Sequence, residues 1–264
     1  MRQHTSHLQH TLWVVLGLFL ALMGHAAHAQ DKGCFVVLMH GKWGNPQYIS
    51  HFGRKMEPVC AFKSIELPWS QRRNYDAPYP KALEDIQAEV RKAREQGYAK
   101  VVLAGHSFGA NAAMAYMAEM GDADAVIALA PGHSPAHMYE RGIGKDAVDQ
   151  ARALVASGKG DQKLTMDDLN QGKRLQTRMS ADALWTYFNP EGLGHMPGTA
   201  AKFKKPVPFA WVIGTADPLF RGGQAYAFDK TPPHPKSLYL VVEADHANTP
   251  DVAAPRLLEW LKGL

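Results

Sequence analysis

The sequence predicts an α/β fold, a mainly parallel sheet with helices on both faces. Three observations predict it. Apolar runs of strand length alternate with amphipathic helical stretches, the pattern of successive βαβ units. One run, Val101 to Ala104, meets the tight turn Gly105-His106-Ser107-Phe108-Gly109, and a small-residue helical pattern, Ala110 to Met120, follows at once. Composition is that of an ordinary globular chain, with 46% hydrophobic and 20% charged residues among 264.

Strand, sharp turn and helix with serine at the apex form a nucleophile elbow. The turn forces the serine into a strained backbone conformation and needs glycine two positions away on each side, where a side chain would collide. It lifts the Ser107 hydroxyl clear of the sheet and aims the Phe108 N–H, at a helix N-terminus, toward an oxyanion beside it. In these residues the chain resembles the serine hydrolases of the α/β-hydrolase superfamily, and the resemblance covers most of the chain beyond residue 30. It implies a Ser-Asp-His triad in that chain order, an acyl-enzyme on a small-molecule acyl substrate, and no metal or organic cofactor.

Residues 1–29 resemble a secretory signal peptide. Arg2 is the one Lys, Arg, Asp or Glu before Asp31, Leu12 to Met23 is an apolar run, and Ala27-His28-Ala29 offers small residues at the positions a signal peptidase reads. The other reading, an uncleaved anchor, wants about 20 apolar residues. Cleavage before Gln30 would remove 29 of the 264 residues and leave 235, enough for one large core in the periplasm or the medium. The net charge of +4 falls to +3 without Arg2, too small and too evenly spread to argue for nucleic acid or a membrane surface. Export would place the two cysteines, Cys34 and Cys60, in an oxidising compartment. Each sits at the start of an apolar run, Cys34 to Met39 and Val59 to Leu67. If these are adjacent parallel strands, the two form either a disulfide or a pair of buried thiols, at the strand ends opposite the expected chemistry.

The first strand ends in His40-Gly41-Lys42-Trp43-Gly44. The resemblance makes this the oxyanion loop and assigns a second backbone donor to Lys42, with Trp43 the weaker choice; a plain turn is the alternative. The superfamily has two strands before this one, so a trimmed sheet of about six strands is expected. Asn45-Pro46 reads as the start of a helix with Tyr48, Ile49, Phe52 and Met56 on one face. The loop after the second strand, from Pro68-Trp69-Ser70 to Tyr79, lies where open α/β sheets bind ligands. Trp69 and Tyr75 there either line a pocket or pack. Lys81 to Gln96 reads as an amphipathic helix stopped by Gly97.

After the strand Ala125 to Ala130, no carboxylate stands at the strand end, so the acid must come later. Residues 133–203 form an insertion with helical patterns at Lys145 to Ala156 and after Ser180, which matches the helical cap of α/β-hydrolases. The core is then 30–132 and 204–264. His133 and His137 stand at i, i+4, but the intervening Pro135 and the lack of an acidic neighbour argue against a metal. The strand Phe209 to Ile213 leads into Gly214-Thr215-Ala216-Asp217-Pro218, the acid loop by resemblance; Asp217 is the expected triad acid or, alternatively, a helix cap. The last strand, Leu238 to Val242, leads to Asp245-His246, and among the eight histidines after residue 29 only His246 stands just past a final strand. A closing helix follows from Thr249-Pro250. Trp43, Trp69, Trp185 and His106 are candidate pocket residues. Carboxylic-ester hydrolysis is the expected reaction. Thioester or amide cleavage, acyl transfer, and a non-catalytic exported binding protein on the same fold are the alternatives.

Overall fold

A computed structural model of the protein describes residues 32–264, so the proposed signal peptide, residues 1–29, lies outside the described residues. In chain order the strands are β1 (Cys34–Met39), β2 (Cys60–Ile65), β3 (Lys100–His106), β4 (Ala125–Leu129), β5 (Lys163–Asn170), β6 (Lys173–Ser180), β7 (Phe209–Gly214) and β8 (Leu238–Val242). The helices are α1 (Pro46–Met56), α2 (Tyr79–Glu95), α3 (Phe108–Glu119), α4 (Pro135–Glu140), α5 (Lys145–Ala156), α6 (Ala181–Phe188), α7 (Met196–Ala201) and α8 (Thr249–Lys262).

Six strands make one sheet in the order β2-β1-β3-β4-β7-β8, parallel throughout. The near-continuous apolar character of the four central strands, β1, β3, β4 and β7, follows from burial on both faces. Val36, Leu38, Val102, Ala104, Ile127 and Leu129 pack with Ile49 and Phe52 of α1 and Leu257 and Leu261 of α8. The alternate residues, among them Val37, Met39, Val101 and Leu103, pack with Leu83 and Ile86 of α2 and with α3. Every residue of α3 from Phe108 to Ala118 is buried. Its alanines let the helix lie close to the sheet.

The chain runs outward from β1 to β2 and returns to β3 on the other side of β1. That reversal opens a crevice at the carboxyl ends of β1 and β3, where such sheets bind ligands. The register pairs Met39 with Gly105, so the two following loops, His40 to Gly44 and the Ser107 turn, lie side by side.

The segment between β4 and β7 holds more than the expected helical cap. It carries α4 to α7, but also the antiparallel hairpin β5–β6. The hairpin was hard to read because its strands are largely polar, with Lys163, Thr165, Asp167, Arg174, Gln176 and Arg178 exposed. Its signal is the turn Gln171-Gly172, both at positive φ (50° and 76°), as a two-residue hairpin requires. No helix among the described residues is long and apolar enough to cross a membrane.

Cys34 and Cys60 are paired in register at the amino ends of β1 and β2 and form a disulfide, with Cα atoms 4.7 Å apart. Loop-closure entropy gives such a bridge about 3 kcal/mol. Replacing both cysteines by alanine is expected to lower the thermal midpoint by roughly 6–12 °C in the absence of reductant. An unchanged midpoint would mean that the bridge adds nothing to stability.

Candidate active site

Ser107 sits between β3 and α3 at φ 56°, ψ −115°, a conformation open to a non-glycine residue only under strain. The crowding that enforces it is measurable. A Cβ on Gly105 would lie 2.1 Å from the Gly109 carbonyl carbon, and one on Gly109 would lie 2.4 Å from Met39 O. The turn is hung on its neighbours: Ser107 N–H donates to Leu129 O at 2.9 Å, and Ser107 O accepts from Gly132 N–H at 3.1 Å.

Asp217 and His246 follow β7 and β8, which are adjacent in the sheet. His246 Nδ1 is 2.5 Å from Asp217 Oδ2, while Asp217 Oδ1 accepts from Leu219 N–H at 2.8 Å. Asp217 therefore caps the following turn and holds an imidazole at once; the two sequence readings of this residue are compatible. Asp245 turns away and accepts from Asn248 N–H instead. Ser107 and His246 converge over Gly132. A Cβ there would lie 2.7 Å from Ser107 Oγ and 3.5 Å from His246 Cε1. Among the described residues no hydrogen bond joins Ser107 Oγ to His246, and such bonds often tighten only once substrate is bound.

The amides of Phe108 and Lys42, both expected to face an oxyanion at Ser107, have no hydrogen-bond partner among the described residues. Trp43 N–H is committed to Trp69 O at 2.9 Å, so of the two donors the sequence offers in this loop it is Lys42 that is free. Gly41 lies against the serine; a Cβ on it would be 3.0 Å from Ser107 Cβ. A hydroxyl, an imidazole held by a buried carboxylate and two free N–H groups are together the parts of an acyl-transfer centre.

Two cavities flank His246. One, of about 260 Å³, is lined by Lys42, Trp43, Tyr48, His106, Ser107 and Asn170. The other, of about 380 Å³, is lined by Pro131, Ser134, His137, Pro218, Leu219 and Tyr226. Gln171, at the hairpin tip, lines both. Of the predicted pocket residues, Trp43 and His106 line the first cavity. Trp69 does not: it is fully buried, its indole N–H donates to His40 O at 2.9 Å, and its ring stacks on Phe108 at 4.6 Å. Trp185 also lies elsewhere, with the Arg152 guanidinium 6.0 Å from its ring centre. Tyr75 belongs to the same buried core as Trp69. Sequence reasoning missed Asn170 and Gln171, whose signal is the Asn-Gln-Gly turn, and placed Tyr48 on one helical face with Ile49, Phe52 and Met56; those three are buried, while Tyr48 is exposed and lines the first cavity. Among the described residues no group of three or more His, Cys, Asp or Glu could hold a metal.

The profile of the "Alpha/beta hydrolase family" matches residues 36–258. The chain belongs to that family. Solved structures of other α/β hydrolases share its fold at low identity. The monoacylglycerol lipase of Paleococcus ferrophilus is 18% identical with a TM-score of 0.62, covering 87% of this chain and 94% of its own. Est1E of Butyrivibrio proteoclasticus, solved with ferulic acid, is 18% identical with a TM-score of 0.57, covering 90% of each. The α/β hydrolase GrgF of Penicillium sp. sh18 is 16% identical with a TM-score of 0.64, covering 89% of this chain and 91% of its own. No curated protein matches this hydrolase in sequence.

Three further histidines are buried in or near the hydrolase site. His40 Nδ1 bonds Gly41 O at 2.8 Å and its Nε2 accepts from Leu67 N–H at 3.2 Å. His133 stacks on Phe108 and bonds Tyr187 O at 2.8 Å through Nε2. His106 Nε2 bonds His246 O at 2.9 Å. Burial lowers all three, His106 from 6.5 to about 4. The unfolded chain takes up these protons near 6.5 while the folded protein resists, so the stability of the folded state is full above that pH and is lost as acid is added. The thermal midpoint is expected to fall as pH is lowered from 6.5 toward 4, and to fall less steeply in His106→Gln. Parallel profiles for the two proteins would show that His106 does not contribute.

Proposed function

We propose that the protein is an exported serine hydrolase that cleaves a carboxylic ester through an acyl-enzyme. The observation that carries this reading is the bond between His246 Nδ1 and Asp217 Oδ2, made next to a serine raised on a strained elbow. Asp217 holds the imidazole in the tautomer whose Nε2 can accept a proton. His246 takes the Ser107 proton as Oγ attacks the acyl carbon, and the Phe108 and Lys42 amides bind the oxyanion. His246 then protonates the departing alcohol. A water deprotonated by the same imidazole releases the acid and restores the serine.

Ester cleavage is favoured over thioester or amide cleavage by fold analogy, since the solved structures that share this fold include a monoacylglycerol lipase and an esterase domain from Rhodothermus marinus. Cavities of this size suit a small molecule rather than a macromolecule. Export is supported by the disulfide and by the leader-like residues 1–29.

Incubation of the mature protein with a fluorophosphonate, followed by peptide mass mapping, is expected to place one adduct on Ser107 and none in His246→Ala. Ser107→Ala should lose ester turnover by a factor on the order of 10⁵ while keeping its thermal midpoint. A well-folded protein that neither labels nor turns over esters would sink the hydrolase reading and favour a binding protein on this fold.

A further inference from the structure

The loop after β1 is gripped by the hairpin of the inserted segment. The Lys42 ammonium is buried and donates to Asp168 Oδ1 at 2.7 Å and to Leu169 O at 3.2 Å. Asp168 is fully buried; its Oδ2 accepts from Tyr75 OH at 2.9 Å and its Oδ1 from Leu169 N–H at 2.8 Å. Two residues further on, Asn170 Nδ2 donates to Lys42 O at 3.1 Å.

The peptide unit between residues 42 and 43 is thus held at both ends, its oxygen by Asn170 of the hairpin and its N–H by Trp69 O of the core. With that plane fixed and the side chain anchored, the Lys42 N–H on the adjoining peptide has little freedom of direction. Stability is a weak account of the arrangement, because a buried ion pair is commonly no better than apolar residues of the same volume. Direction is a better account, since a paired and hydrogen-bonded charge tolerates little displacement in a dry interior.

We infer that Asp168 and Asn170 are positioning residues that hold Lys42 so that its N–H points at the oxyanion. The inference rests on the serine-hydrolase reading. It makes seating of the β5–β6 hairpin and readiness of the Lys42 donor a single event.

The test compares wild type, Asp168→Asn, Asn170→Ala, the double variant Lys42→Met/Asp168→Leu and the control Leu175→Ala, an exposed residue of β6. Each is assayed for kcat and KM on p-nitrophenyl butyrate, for the rate of fluorophosphonate labelling, and for thermal midpoint. Asp168→Asn and Asn170→Ala are expected to lower kcat and labelling by about 10- to 100-fold, the scale of a small misplacement, with KM little changed. Asn170→Ala should keep its midpoint. The double variant should regain the wild-type midpoint yet stay slow. A double variant that is both stable and fast would reduce the ion pair to a structural role and overturn the inference. So would Asn170→Ala labelling at the wild-type rate, or an equal loss in Leu175→Ala. Wild type that fails to label at all would remove the hydrolase reading itself, a result distinct from these.

Discussion

The closeness of α3 to the carboxyl ends of β1 and β3 is the constraint on which the rest depends. At Gly105 and Gly109 a Cβ would collide with backbone and hold the helix off the strands, and glycine has none. The helix can then begin immediately after Ser107, and the serine is left with the strained dihedrals of the elbow. The same approach brings Gly41 against Ser107, so the loop with the free Lys42 amide sits beside the hydroxyl. A methyl group at either elbow glycine would separate the parts before altering any of them chemically.

Strain of this kind persists only when the surroundings over-determine it. Phe108, the residue after the serine, is stacked between Trp69 at 4.6 Å and His133 at 3.9 Å. Tyr187 of α6 meets Phe108, Trp69 and Tyr79 in the same cluster. The inserted segment is therefore packed on the elbow through aromatic rings as well as through Lys42 and Asp168. Other residues at positive φ gather here: Trp43, Ala130, His133 and Gln171, each in a loop around the cleft.

Much of this was legible in the sequence. The four central strands, buried on both faces, read as unbroken apolar runs, while the edge strands β2 and β8 are legible from shorter apolar stretches between turn signals. The elbow was legible because its glycines answer a steric demand, and Asp217 and His246 because each follows a strand end. Where the reading failed, burial was the missing information. Trp69 and Trp185 carry the same ring as Trp43, and only the fold decides that one is core, one packs beneath Arg152 and one faces the cleft. The β5–β6 hairpin escaped because most residues of its strands are polar. Nothing local in the sequence marks Asp168, since its partner Lys42 lies 126 residues away.

Gln171 sits at the hairpin tip with φ of 50° and lines both cavities beside His246. A change of side chain there alters the two compartments together, so neither can be reshaped through this position independently of the other. The backbone conformation narrows the choice further, because left-handed dihedrals are tolerated best by glycine, asparagine and aspartate. A branched replacement at this tip would have to remodel the turn before it could reshape the cleft.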